Sequence, residues 1–375
     1  MSAADDQVHM ARAIHLAVKG LYTTEPNPRV GCVLVRDGEV VGEGWHRRAG
    51  GLHAERVALT AAGDRACGAT AYVSLEPCCH HGKTPPCTDA LVEAGVARVV
   101  TAMEDPNPLV AGNGLNVLRS HGIQVASGVL ERQARSLNPG FVRRMVTGLP
   151  YVRCKLAASL DGRSAMASGE SKWITSQAAR RDVQLLRARS SAIVTGIGTV
   201  LADDPSMNVR LTSADLPGIG PDDSVRQPMR VVLDSWLRMP TNARMLALPG
   251  TTVVACVAHD LERAARLEAA GARIYRCAEG RGGVDLQSLL RYLAREEANE
   301  VLFEAGATLA GAAVRAGLVD ELVLYLAPHL MGDEGRGLFH LPGLVHMADR
   351  VELEIRDLRM VGADFRITAV PKNRN

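Results

Sequence analysis

His53, Glu55, Cys78 and Cys87 are the residues whose types and spacing can do chemistry together. One imidazole and two thiolates make three ligands for zinc and leave a fourth position for water, the catalytic rather than the structural arrangement. A zinc ion held this way lowers the pKa of its water towards ~7 and so supplies hydroxide at neutral pH. Glu55 lies two residues beyond His53, close enough to shuttle protons without being a ligand. The opposing reading is a closed zinc staple completed by Cys79, His80 or His81. Glu55 counts against it, because a structural site closes with a fourth Cys or His. The other cysteines, Cys32, Cys67, Cys154, Cys256 and Cys277, are scattered through apolar stretches and read as small hydrophobes.

A second constellation lies near the end of the chain. The run EVLFEAG (300–306) reads as a strand ending in Glu304 and Gly306, and ATLAGAAVRAG then starts a helix. Free N–H groups at such a helix start favour a phosphate. The same junction also occurs as a plain packing device. No G-x-G-x-x-G fingerprint is present, so an ordinary dinucleotide-binding motif is not the basis of this half.

The elements that must position these residues alternate. Apolar spacing predicts a helix over 7–18 and another over 53–62, so His53 and Glu55 sit at a helix start. Residues 30–35, 39–45, 69–77, 97–103 and 122–127 read as strands, 88–94 as a helix and 104–114 as a loop. This is an alternating α/β half around a central sheet. The turn signal Asn138-Pro139-Gly140 precedes a boundary near 148–151, giving domains over 1–148 and 149–375. The second half restarts the alternation with strands over 152–159, 192–196, 230–234, 251–258, 272–277 and 300–306. Ser176 is expected to cap a helix running to Arg189, and 203–229 reads as loop. DELVLYLAP, VELEIRDL and DFRITAV close the chain as antiparallel strands.

Composition excludes several classes. The 375 residues carry 43 basic and 41 acidic side chains, so a net charge of +2 offers no bulk attraction for nucleic acid or an anionic membrane. Aromatics at 3% make base-stacking platforms an improbable main business. No uninterrupted apolar run reaches transmembrane length, and the start MSAADDQVHMARA lacks a secretory signal. A cytoplasmic enzyme is expected, with no nucleic-acid or membrane partner.

The pattern H-x-E followed by P-C-x-x-C marks zinc nucleobase deaminases; here eight residues, not two, separate Cys78 from Cys87. With that longer insert, Glu76-Pro77-Cys78-Cys79-His80-His81-Gly82-Lys83-Thr84-Pro85-Pro86-Cys87 resembles the bifunctional riboflavin-biosynthesis deaminase/reductase family. Pro26-Asn27-Pro28-Arg29-Val30-Gly31 and Asp105-Pro106-Asn107-Pro108 carry the same resemblance, as do KLAASLDGR (155–163), ASGESKWIT (167–175) and GIGTVLADDPSMNVR (196–210). The family usually has serine where this chain has Cys79, a position that is not a family zinc ligand. The resemblance implies a cytidine-deaminase-like α/β/α sandwich followed by a dihydrofolate-reductase-like α/β domain. It further implies zinc, one per chain, on His53, Cys78 and Cys87, NADPH as the second cofactor, and self-association through the reductase half.

The implied reaction removes the 2-amino group of a phosphoribosylamino-diaminopyrimidine by hydrolysis, and the ribosyl chain of the product is then reduced to ribityl. Asn27, His46, His80, Lys83, Asp105 and Asn107 match positions near the deaminase substrate. Against this, Lys83 also reads as a solvated loop lysine, His46 and His80 as structural histidines, and Asn27 and Asn107 as X-Pro turn residues. Ala157, Trp173, Thr199, Asp203, Ser235, Gly306, Ala307, Thr308, Leu309, Ala310, Gly311 and Ala312 match positions around the nucleotide cofactor. Ser171, Arg187, Met207, Arg210 and Glu304 match the reductase substrate site, where the two arginines offer forked donors for the sugar phosphate. Asp203 is the acid expected near the reacting sugar, with Asp204 as its rival; Trp173 also reads as core.

Overall fold

The computed structural model describes residues 2–80, 85–108, 110–221 and 223–372. The chain divides into two compact units, one of Met1–Gly148 with Thr212–Ser224, the other of Leu149–Leu211 with Val225–Asn375.

In the first unit the order is α1 (Ala3–Val18), β1 (Gly31–Arg36), β2 (Glu39–Trp45), α2 (Ala54–Ala62), β3 (Thr70–Val73), α3 (Cys87–Glu93), β4 (Arg98–Thr101), α4 (Asn113–Ser120), β5 (Gln124–Ser127), α5 (Glu131–Leu137) and α6 (Pro139–Thr147). The sheet order is β2-β1-β3-β4-β5, antiparallel across β2-β1-β3 and parallel beyond. Successive side chains of a strand point to opposite faces, and the core divides accordingly. Cys32, Leu34, Ala71, Val73 and Val99 pack with α2, α3 and α4; Val33, Val35, Tyr72 and Val100 pack with α1, α5 and α6. The result is an α/β/α sandwich. Helix α2 lies hard against β2 because that strand carries Gly42 and Gly44: a Cβ at Gly44 would stand 2.5 Å from the Ala54 carbonyl oxygen.

Three expectations for this half change. Helix α1 starts at Ala3 rather than near Gln7, because Ser2 and Asp5 form a reciprocal capping box. The strand expected over 69–77 ends at Val73, freeing the segment that leads to Cys78. The Asn138-Pro139-Gly140 signal is no turn between domains but the start of α6. Proline is well placed in a first helical turn, where its missing N–H has no partner to lose. The Asn138 side chain instead pairs with the backbone of Arg29, at 2.8 and 2.9 Å.

The second unit runs β6 (Tyr151–Ser159), β7 (Arg163–Ala165), α7 (Gln177–Arg189), β8 (Ala192–Gly196), α8 (Ile197–Asp203), β9 (Met229–Leu233), β10 (Thr252–Cys256), α9 (Leu261–Ala269), β11 (Ala272–Arg276), β12 (Glu279–Gly280), β13 (Gly283–Val284), α10 (Leu286–Arg295), β14 (Glu300–Glu304), α11 (Ala307–Arg315), β15 (Glu321–Ala327), β16 (Arg336–Gly337), β17 (Leu353–Val361) and β18 (Asp364–Pro371). Ser176 caps α7 as expected, its side chain accepting from the Ala179 N–H. The nine-stranded sheet has the order β11-β10-β9-β8-β14-β6-β15-β18-β17. Strands β11 to β15 are parallel and the last two antiparallel, so β15 pairs parallel with β6 as well as antiparallel with β18. Helices α10 and α11 cover one face, while α7, α8 and α9 cover the other.

From β8 the chain passes through α8 towards β9, whereas from β14 it passes through α11 to β15 on the other side. Such a divergence opens a crevice at the carboxyl ends of adjacent parallel strands. At the far edge, β17 is bulged at Arg356: Ile355 pairs with Ala369 but Asp357 with Thr368. The extra residue keeps Leu353, Ile355, Leu358 and Met360 on one face, where they stay between 37% and 60% exposed.

Candidate metal and cofactor sites

His53 is the N-cap of α2 and Glu55 lies in its first turn. Cys78 sits in the segment after β3, and Cys87 is the first residue of α3. The fold brings the three donors together: His53 Nδ1 is 3.5 Å from Cys78 Sγ and 3.3 Å from Cys87 Sγ, and all three ligand atoms lie within 4.8 Å of one another. Sulfur and imidazole donors at this separation fit zinc. The Cys87 N–H donates to Cys78 Sγ at 3.4 Å. The neighbouring Cys87 draws the Cys78 thiol down to about 4, and His53 adds to the effect. The second thiol, Cys87, is driven up in turn by its bond to Cys78. Burial pushes the Glu55 carboxyl up to about 7, and the nearby Cys78 charge reinforces it. Among the described residues Cys79 and His80 stay out of the cluster; His81 lies outside the described residues.

Asn27 and His46 meet beside this cluster. His46 Nδ1 faces the Leu52 carbonyl at 3.0 Å and Nε2 faces Asn27 Nδ2 at 3.0 Å, so the ring donates at the first nitrogen and accepts at the second. Burial holds its pKa below the usual histidine value, in keeping with that neutral form. The His46 and His53 rings pack edge to face at 5.3 Å. Asp105 is partly buried and its carboxyl is raised by burial; one of its oxygens accepts from the Asn107 N–H at 2.8 Å. His80 is exposed. Lys83 lies outside the described residues.

In the second unit a cavity of about 1080 Å³ opens at the carboxyl ends of β6, β8 and β14. Ala157, Ser171, Thr199, Asp203, Glu304 and the 306–309 turn line it. It adjoins a second cavity of about 890 Å³, with Thr308 and Leu309 in the lining of both and Ser235 and Ala312 in the second. An elongated crevice with a helix start at its centre fits a dinucleotide. Ala310 and Gly311 point elsewhere. Ala310 is fully buried, and a Cβ on Gly311 would stand 2.0 Å from the His340 carbonyl oxygen. Trp173 is not core: it is 75% exposed and lies under the Arg180 guanidinium at 4.6 Å. Asp203 lines the cavity with Lys172 Nζ at 3.9 Å, whereas Asp204 turns away at φ +40 to accept from the Arg244 N–H.

Arg187 does not present a free fork to a phosphate. Its Nε and Nη2 hold the Glu304 carboxylate at 2.6 and 2.8 Å, and Nη1 donates to the Asn208 carbonyl at 3.0 Å. Burial works to raise the Glu304 carboxyl, but Arg187 prevails and keeps it below its usual range, with Lys155 adding. Met207 is buried with φ +45. Arg210 shares this charge cluster; burial, and then the charge of Arg187, lowers its pKa.

Residues 150–367 match the model of the RibD C-terminal domain, and residues 3–103 match the cytidine and deoxycytidylate deaminase zinc-binding region. The chain is 53% identical to the riboflavin biosynthesis protein RibD of Escherichia coli (strain K12), over 96% of this chain and 97% of that one. The chain belongs to the RibD family. A structure of Acinetobacter baumannii RibD is 46% identical, with a TM-score of 0.91 over 99% of this chain and 100% of that one. A Thermotoga maritima structure, described as a diaminohydroxyphosphoribosylaminopyrimidine deaminase/5-amino-6-(5-phosphoribosylamino)uracil reductase, is 32% identical with a TM-score of 0.84, covering 98% and 99%. As a member of that family this chain is a bifunctional enzyme of riboflavin biosynthesis, a zinc-dependent deaminase joined to an NADPH-dependent reductase that acts on small phosphorylated pyrimidines.

Two further residues hold places that the motifs do not assign. Lys155 lines the larger cavity, its ammonium lowered by burial and drawn back up by Glu304. Its signal was a second basic residue, after Arg153, inside a largely buried strand. Glu76 is buried two residues before Cys78 and receives four backbone hydrogen bonds. Nothing in its local sequence marks that role.

Proposed function

We propose that residues 1–148 carry the deaminase and residues 149–375 the reductase. The substrate is 2,5-diamino-6-(5-phosphoribosylamino)pyrimidin-4(3H)-one, deaminated to 5-amino-6-(5-phosphoribosylamino)uracil, whose ribosyl chain is then reduced to ribityl. The observation that carries this reading is the buried Glu55 beside a three-donor cluster with no fourth protein ligand among the described residues. His53, Cys78 and Cys87 would hold zinc, a Lewis acid that would make water nucleophilic at neutral pH. Glu55, with a carboxyl near 7, takes the proton of the attacking water and returns it to the leaving amino nitrogen. Asn27, oriented by His46, offers donor and acceptor to the pyrimidine edge, while His80, Lys83, Asp105 and Asn107 hold the rest of the substrate.

In the second unit Ala157, Thr199, Asp203, Ser235, the 306–309 turn and Ala312 would hold NADPH, which would supply the hydride, with Trp173 between the cavity-lining Lys172 and Ile174. Asp203 moves the proton at the reacting sugar. Ser171, Met207 and Glu304 orient the sugar, Arg187 fixes Glu304, and Arg210 holds the phosphate.

The two constellations share no residue, so the intermediate can leave one site and diffuse to the other. Glu55→Gln protein mixed with Asp203→Asn protein should carry substrate through to the ribityl product with NADPH in excess, each intermediate followed by mass. If each variant is dead at its own step and intact at the other, yet the mixture makes no final product, the independent-sites reading fails.

We extend this reading to a cytoplasmic enzyme that self-associates through its reductase unit. Among the described residues no helix is long and apolar enough to cross a membrane. The exposed stripe of Leu353, Ile355, Leu358 and Met360, with Phe365 opposite Met360, supports a second copy as its cover.

A further inference from the structure

Glu76 has no part in the chemistry above, yet its carboxylate is saturated. Oε1 accepts from the N–H groups of Gly114 at 2.8 Å and Leu115 at 3.3 Å; Oε2 accepts from those of Asp105 at 2.9 Å and Gly112 at 3.0 Å. A carboxylate offers about four acceptor sites, so all are filled. Gly114 and Leu115 lie in the first turn of α4, where backbone donors lack helical partners and a negative charge is favoured. Glu76 therefore caps α4 from a distant point of the chain and ties down both ends of the loop between β4 and α4.

The start of α4 is also pressed onto the metal segment itself. A Cβ on Gly114 would stand 2.1 Å from the Pro77 carbonyl oxygen, so only glycine permits this approach. The Glu76 N–H donates to the Met103 carbonyl at 3.0 Å, which anchors the loop's start as well. Within the loop, Asp105 passes the constraint to Asn107 through its carboxylate, at 2.8 Å from the Asn107 N–H. Cys78 is two residues from Glu76, so a metal ligand and the Asp105–Asn107 loop are referenced to one rigid tripeptide.

We propose that Glu76 is a positioning residue for deamination: through the Glu76-Pro77-Cys78 segment it holds Asp105 and Asn107 in register with the metal cluster and thereby sets substrate affinity. This rests on the reading of those two residues as substrate contacts. Glu76→Gln keeps the size but cannot accept at its amide nitrogen, so two of the four bonds are lost. Charge-assisted bonds of this kind are worth roughly tenfold to a hundredfold. In the full-length zinc enzyme the deaminase KM should rise by about that factor, with kcat changed less than about threefold. Zinc should remain at one per chain and the reductase activity of the same protein should be unaltered. Amide hydrogen exchange should quicken at Asp105, Gly112, Gly114 and Leu115.

Gly114→Ala leaves the Glu76 side chain in the protein but drives a Cβ against the Pro77 carbonyl and to 3.1 Å from Glu76 Oε1, so it should raise KM in the same way and keeps the test open if Glu76→Gln does not accumulate. In an Asn107→Ala background the effect of Glu76→Gln on KM should shrink, because coupled residues are not additive. A deaminase KM unmoved by Glu76→Gln, with kcat falling only in step with zinc content, would overturn the positioning role. Wild-type KM in both Asp105→Ala and Asn107→Ala would instead remove the substrate reading of the loop, an outcome that needs no Glu76 variant to be seen.

Discussion

Arg187→Ala should destabilise the reductase unit more than any loss of substrate contact alone would suggest. Arg187 and Glu304 are 12% and 13% exposed and joined by two bonds of 2.6 and 2.8 Å. Removing one partner of a buried pair leaves an uncompensated charge and costs about 3–5 kcal/mol. Lys155 still attracts Glu304, so the lower end, about 3 kcal/mol, is expected. For a unit of this size that corresponds to a fall in Tm of roughly 6–12 °C. The pH dependence has a definite sign. In the wild type Arg187 holds the Glu304 carboxyl below its ordinary value, so the pair contributes stability above about pH 4.3 and loses it as pH falls further. Without Arg187, burial raises that carboxyl, and protonation relieves the penalty. The difference between variant and wild type should therefore be largest near pH 7–8 and shrink towards pH 4. Scanning calorimetry measures it, with the reductase transition identified by its upward shift on adding NADPH. A fall below about 2 °C, or the same fall in Arg210→Ala, would refute the assignment of Arg187 to Glu304.

Cys87→Ser should lose zinc and deamination together, whereas Cys79→Ser should keep both; metal analysis with the deaminase assay decides, and the reverse result would mean the wrong thiolates are assigned. Arg210→Ala should weaken the phosphorylated sugar by roughly tenfold to a hundredfold while leaving NADPH binding nearly unchanged; equal losses in titrations of the two ligands would make it a loop-holding residue. Leu358→Glu with Met360→Glu should shift the protein to a smaller assembly in sedimentation without loss of either activity per chain; an unchanged sedimentation coefficient removes the stripe as the contact.

The metal cluster was legible because its parts are local. A histidine at a helix start with a glutamate two residues on needs only the helix to place both, and the spacing of Cys78 and Cys87 survives whatever the intervening loop does. Strand and helix alternation was legible for the same reason, since periodicity and caps such as Ser176 act over one or two turns. Tertiary packing decided the rest. Asp203 and Asp204 part at one backbone angle at the end of α8, where φ +40 sends Asp204 to Arg244 while Asp203 lines the cavity. The start of α6 was hidden because Asn138 answers to Arg29, 109 residues away. Arg187 looked like a phosphate fork until Glu304, 117 residues further on, occupied it. Glu76 stood in the quoted motif but its partners were hidden, since its four donors are backbone groups common to every residue. Local hydrogen bonding and apolar period are written in short stretches of chain, but which charged groups are taken out of water together depends on the packing of distant elements, and there the physical cost of an unpaired buried charge selects the partner.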